Sequence, residues 1–104
     1  MSKYRNKPVV VDNIRFASMR EAAHYEKLRL LQKAGAISDL RLQVRYELLP
    51  RQDGEQGVAY VADFVYLDSR GVERVQDVKG VRNPVYVIKR KMMLFFHKIR
   101  IEEV

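Results

Sequence analysis

The sequence has no cysteine. That excludes a disulfide framework and thiolate metal sites, and it fits a cytoplasmic life. No stretch approaches the roughly 18 consecutive apolar residues of a membrane-spanning helix. Prolines (three) and glycines (five) are too few for a low-complexity or linker segment, and no internal repeat is visible. There are only two histidines, His24 and His97, and their spacing suggests no zinc site, so both are assigned structural or surface roles. Acidic residues are outnumbered, thirteen against twenty Lys and Arg, which leaves a net charge of +7. A basic surface of this kind attracts polyanions through counterion release, although solubility alone also accounts for it.

What is present reads as one domain, since 104 residues support a single core. Met1 to Lys7 carries Lys3, Arg5 and Lys7 and reads as a basic arm; no basic-then-apolar leader is seen there. Val9-Val10-Val11 and Ile14-Arg15-Phe16 around Asp12-Asn13 form a short hairpin. Ser18 caps a first helix that Gly35 ends, with Tyr25, Leu28 and Leu31 as its inward stripe. Leu40, Leu42, Val44, Tyr46 and Leu48 alternate as a strand with one buried face. Val58 to Tyr66 and Val72 to Lys79 are two further strands joined by the tight turn Asp68 to Gly71. Asn83-Pro84 starts a second helix with the stripe Val85, Ile88, Met92 and Phe95, and Ile99 to Glu103 is a last strand. The order helix, strand, strand, strand, helix, strand describes an α/β fold, a mixed sheet with helices against it.

One constellation carries chemistry. In Asp77-Val78-Lys79, residues two apart on a strand share a face, so the carboxylate and the ammonium project together while Val78 enters the core. On the preceding strand Asp63 stands in the apolar run Val61 to Tyr66, where an uncompensated carboxylate is costly. Pairing through the Asp68–Gly71 turn would bring Asp63 near Asp77. Two such carboxylates repel, and a divalent cation removes the conflict; hard oxygen donors suit Mg²⁺ or Mn²⁺. Glu21 extends the inward stripe of the first helix, but Ser18-Met19-Arg20-Glu21 also fits a capping box, which taken locally is the stronger reading. For an isolated Asp-x-Lys, a solvated cross-strand ion pair would suffice.

The combination of helix Glu21, strand Asp63 and strand Asp77-Val78-Lys79 in this element order resembles the PD-(D/E)XK nuclease superfamily. Ser18 to Tyr25, Tyr60-Val61-Ala62-Asp63-Phe64 and Gln76-Asp77-Val78-Lys79-Gly80 resemble more closely a small branch borne by phages and prophages. The resemblance runs from about Lys3 to Val104. It departs from the usual pattern in having Ala62 in place of proline, and Asp77 in place of the more frequent glutamate. It implies a restriction-endonuclease-like core and a Mg²⁺- or Mn²⁺-dependent DNA endonuclease in a bacterial host cytoplasm. Asp63, Asp77 and the Val78 carbonyl would hold the metal, Glu21 directly or through water. Lys79 would orient or deprotonate the attacking water. A metal at such a site acidifies water and neutralises developing charge. The alternatives are a Holliday-junction or branched-DNA resolvase, an inactive nucleic-acid-binding module, or a subunit of a phage replication or packaging complex.

Further residues invite a nucleic-acid reading beside a plain one. Gln43 and Arg45 lie with Glu47 on the polar face of the first long strand; they are solvated there, or they approach the scissile phosphate. Arg82, Lys89, Arg90 and Lys91 are either a solvated charge run or contacts to a DNA backbone. Tyr86 hydrogen-bonds a phosphate or packs. Met92, Met93, Phe95 and Phe96 exceed one stripe, and the surplus is a candidate homodimer surface.

Overall fold

The computed structural model describes residues 7–79 and 81–104; most of the basic arm, and Gly80, lie outside the described residues. Strands β1 (Val9–Val11) and β2 (Ile14–Phe16) form the expected hairpin. Both central residues of its turn have positive φ, Asp12 at 52° and Asn13 at 63°. That is the type I′ signature whose twist matches the strands. Helix α1 (Met19–Lys33) follows, with Ser18 Oγ accepting from the Glu21 N–H at 3.1 Å. Gly35, at φ 84°, takes the left-handed position after the helix. The hairpin is tied to α1 by Asp12, which accepts from the Tyr25 hydroxyl at 2.9 Å and pairs with Arg29 at 3.2 Å.

Strands β3 (Ser38–Leu49), β4 (Val58–Leu67) and β5 (Glu73–Asp77), helix α2 (Pro84–Met92) and strand β6 (Glu102–Glu103) complete the chain. The sheet order is β3-β4-β5-β6, antiparallel except for the parallel β5–β6 pair. This is the expected mixed α/β sheet in the expected order. Strands β5 and β6 are shorter than the alternation implied. Val72 is 52% exposed outside the ladder, and Val78 and Lys79 leave it. The β4–β5 turn is held by the Asp68 carboxylate, which accepts from the Arg70 and Val72 N–H groups. No helix among the described residues is long and apolar enough to cross a membrane.

The core has two parts. Phe16, Ala22, Tyr25 and Leu28 pack with Phe64, Tyr66, Leu40 and Leu42. Tyr86 and Met93 pack with Leu48, Tyr60, Ala62, Val65, Val75 and Ile101, and with Val44 and Tyr46. The even-numbered residues from Leu40 to Leu48 on β3 and from Val58 to Tyr66 on β4 are the inward set, buried or half-buried, but they change partners midway. Leu42 and Phe64 belong with α1, whereas Val44 and Ala62 belong with α2. Between them the register places Gln43 opposite Asp63, the one position where the run of pairs from Arg41↔Val65 to Glu47↔Ala59 is broken in its interior. Gln43 has φ 53°, a left-handed conformation that costs a side-chain-bearing residue about 1–3 kcal/mol. The single buried face expected of β3 is therefore two faces joined at Gln43.

Both helix stripes need correction. Leu31 is 36% exposed and the whole last turn of α1 is solvated, so its buried residues are Ala22, Tyr25 and Leu28. Of the expected stripe on α2 only Met92 packs on the core; Val85 is 62%, Ile88 57% and Phe95 69% exposed. Tyr86 and Met93 are buried instead. The physical reason is partly polar. The Tyr86 hydroxyl donates to Glu103 Oε2 at 2.7 Å, and Arg90 Nη1 to the same atom at 2.9 Å. These two bonds act with the burial of Tyr86 and Met93 to set the rotation of the helix, and apolar periodicity cannot register the polar part.

Candidate functional site

The site lies where the two cores meet. The β4–β5 register pairs Phe64 with Gln76, so one step further Asp63 stands opposite Asp77. The Asp63 carboxylate reaches across this gap to the N–H of Val78, the residue after Asp77, at 2.9 Å. Asp77 is in turn paired with Glu103 on β6, and Gln43 stands opposite Asp63 on β3. A polar row, Gln43, Asp63, Asp77 and Glu103, therefore crosses all four strands of the sheet.

Each member of this row is held. Asp63 Oδ2 accepts the Val78 N–H at 2.9 Å, and Oδ1 accepts from Gln43 Nε2 at 3.3 Å. Asp77 is buried, with Oδ2 accepting from the Tyr60 hydroxyl at 2.6 Å and Oδ1 lying 3.3 Å from Lys79 Nζ. Lys79 Nζ also sits 4.2 Å from the centre of the Tyr86 ring, a cation–π contact that fixes the ammonium. The backbone around the motif is braced by the chain end, with the Val104 N–H donating to the Asp77 carbonyl at 2.9 Å.

The electrostatics follow from this crowding. Burial pushes the Asp63 carboxyl up to about 7; the Val78 N–H opposes the rise, and Asp77 beside it and then Glu21 add to it. Glu21 is also raised, first by burial, then by repulsion from Asp77, with Lys79 pulling the other way. Glu21 therefore feels the Asp77–Lys79 pair across the fold. Only half of the capping box is formed, the Ser18 Oγ bond, and the Glu21 carboxylate is repelled through space by Asp77. Tyr60 is raised by burial and by its bond to Asp77.

Among the described residues no group of three or more His, Asp or Glu side chains is gathered closely enough to hold a metal ion unaided. The side-chain oxygens at hand are those of Asp63 and Asp77, with Glu21 near enough to repel both. Their chemistry fits a hard divalent cation: all are oxygens, and the pair carries more negative charge than one nearby lysine offsets.

Beside Asp77 and Lys79 lies an open groove of about 410 Å³, lined also by Tyr60, Val61, Asn83, Val85, Tyr86 and Lys89. Lys89 is thus the member of the basic cluster that reaches the site. Arg82 and Arg90 both bind Glu103, at 2.6 and 2.9 Å. Together with the Tyr86 hydroxyl, which contributes most, they hold Glu103 down to about 2. Lys91 lies on a separate groove of about 310 Å³ with Arg90, Arg100 and Glu103. Arg45 is exposed on β3 opposite Val61. Tyr86 does pack, and its hydroxyl is taken by Glu103.

Three contributors had no signal in the sequence. Tyr60 reads as one more apolar position of β4. Glu103 acquires its partners only from α2. His24, assigned a structural role, bonds Gln76 Oε1 at 2.6 Å, and Gln76 Nε2 donates to Tyr66 and Glu102 at 3.1 and 3.0 Å. This buried network anchors α1, and with it Glu21, one residue from Asp77. His97 is exposed and bonds the Glu47 carbonyl.

Comparison with curated proteins found no match, and comparison with solved structures found none either. One family model matches residues 1–103, that of a protein of unknown function (DUF1064), and the chain belongs to this family.

Proposed function

We propose that the protein is a Mg²⁺- or Mn²⁺-dependent nuclease that hydrolyses DNA phosphodiester bonds, with a restriction-endonuclease-like core. The observation that carries this is the juxtaposition of Asp63 and Asp77 with Lys79 bonded to Asp77, at the junction of both cores and beside an open groove that also holds Lys89. Asp63, Asp77 and the Val78 carbonyl would hold the cation, with Glu21 adjoining. When bound, it would supply charge neutralisation and a more acidic water.

The chain's own residues supply the rest. Gln43 and Tyr60 fix the rotamers of the two aspartates, so the donors do not need to be ordered on binding. Lys79, immobilised between Asp77 and the Tyr86 ring, presents a positive charge to a non-bridging phosphate oxygen and can orient the attacking water. Lys89 at the groove wall attracts the flanking backbone.

The test is cleavage of labelled linear, nicked, flap and four-way-junction DNA, with RNA alongside, in Mg²⁺, Mn²⁺ and EDTA. Cleavage of any DNA that EDTA abolishes supports the proposal, and preference for the four-way junction selects the resolvase alternative. Binding of DNA with no cleavage in either metal would favour an inactive binding module. The intact set Glu21, Asp63, Asp77 and Lys79 argues against that outcome.

A further inference from the structure

The largely exposed stripe on α2 keeps a regular pattern. Val85, Ile88 and Met92 recur at spacings of three and four along α2, as in a seam along which one helix packs against another, and Phe95 follows beyond its end. Val85 (62%), Ile88 (57%) and Phe95 (69%) face solvent with Phe96 (49%) beside them, while Met92 is half-buried and packs on the core. Residues Met93–His97 continue α2 as a π-helical segment. Its wider turn lessens the angular step, so the consecutive Phe95 and Phe96 both stay outside, edge to face with centres 5.0 Å apart. With Ile88, Met92 and Lys91 they frame an apolar groove of about 370 Å³. A rare, poorly bonded helical form that holds two phenylalanines in water is a cost without return unless something covers them.

We infer that a second copy of this chain covers this face, α2 against α2, across a two-fold axis. The seam is self-complementary, because the same apolar residues at the same spacing meet on both sides. The exposed fractions of these side chains amount to on the order of 400 Å² per copy. With a polar rim, two copies reach roughly the 1,000–1,200 Å² at the lower edge of specific interfaces. An interface at that edge gives a weak, concentration-dependent dimer. Charge sets its salt dependence. Each copy carries +7, and Lys91 on the seam's flank meets its symmetry mate. Its stem covers apolar surface while the ammoniums repel, so salt tightens the dimer, the reverse of its effect on nucleic-acid binding. The inference does not depend on the reaction at Asp63 and Asp77.

Sedimentation equilibrium of the full chain, from about 1 to 500 µM in 0.1 and 1 M NaCl, tests it. The 12.3 kDa monomer should give way to twice that mass and no more, at lower concentration in high salt. Phe95→Asp and Ile88→Asp, both at exposed positions, should shift the midpoint at least tenfold while circular dichroism and melting stay unchanged. Lys91→Glu mixed with wild type should associate more tightly than either alone in 0.1 M NaCl. A chain monomeric throughout, open-ended association, or a wild-type midpoint in Phe95→Asp would overturn the inference.

Discussion

The Tyr60 hydroxyl donates to Asp77 Oδ2 at 2.6 Å, so a tyrosine of β4 holds the carboxylate of β5 from beneath while Lys79 holds its other oxygen. With Gln43 and the Val78 N–H on Asp63, every oxygen of the aspartate pair has a partner. The pair is therefore preorganised, and its members respond differently to substitution.

Asp77→Asn should reduce single-turnover cleavage in Mg²⁺ by at least 10²–10³-fold, roughly the loss expected for a group acting on transition-state charge. Folding should be intact, since an amide oxygen still accepts from Tyr60 and the lost repulsion with Asp63 offsets the lost pairing with Lys79. Wild-type turnover in this variant would sink the two-carboxylate site.

Glu21 and Ser18 separate by what each substitution damages. Ser18→Ala should cost about 1 kcal/mol, roughly 4–8 °C in melting temperature, and leave turnover alone. Glu21→Gln should barely move the melt but lower turnover and weaken Mn²⁺ binding measured by calorimetry. Unchanged turnover and Mn²⁺ affinity would return Glu21 to a capping role.

The Asp63 shift makes a pH claim with a definite sign. Its folded-state carboxyl titrates near 7 against an ordinary 3.8, so the folded chain binds the proton more tightly than the unfolded one. Metal-free stability should therefore fall as pH rises from about 4 to 7 and level off above. Glu103, held down to about 2, acts oppositely: its contribution is present above about 4.5 and fades toward pH 2. Thermal melts from pH 2 to 8.5 should peak near pH 4–5. Mg²⁺ should restore the loss at pH 8, and Asp63→Asn should flatten the slope between pH 5 and 7. A melting temperature that climbs from pH 5 to 8 without metal would contradict the assignment.

Within the basic cluster only Lys89 lines the site groove. Lys89→Ala should weaken DNA binding about equally across sequences and flatten the plot of log affinity against log salt by roughly one unit. Arg90→Ala should instead lower stability, since it strips a partner from Glu103. Salt-titrated binding and melting curves on both variants check this, and an unchanged Lys89→Ala slope would make that lysine a solvated charge.

Gln43 tests the corner of the sheet. Gln43→Val should cost about 1–3 kcal/mol, because a β-branched residue resists positive φ, whereas Gln43→Gly should stay within about 1 kcal/mol of wild type. Equal melting of the two variants would mean that the left-handed turn is not a constraint.

Much of this was legible in the chain itself. Hairpin, caps and element order follow from local chemistry: the Asp12-Asn13 turn, Ser18 and Asn83 as caps, Pro84 in the first helical turn, and Gly35 beyond α1. The pairing of Asp63 with Asp77 follows from the short Asp68–Gly71 connection, which leaves one workable register. Tertiary structure alone decided the rest. Alternation along β3 marks which residues are buried, but not that Leu42 and Val44 belong to different cores, because the turn of the strand at Gln43 depends on its neighbours. Apolar spacing on α2 marks a stripe but not its direction. The burial of Tyr86 and Met93, together with hydrogen bonds from Tyr86 and Arg90 to Glu103, seventeen and thirteen residues away, took the place of burying Val85, Ile88 and Phe95. A charge-assisted bond to a half-buried carboxylate is strong and directional, whereas apolar contact has no direction, so the polar anchor joined that burial in setting the rotation and left most of the seam to solvent.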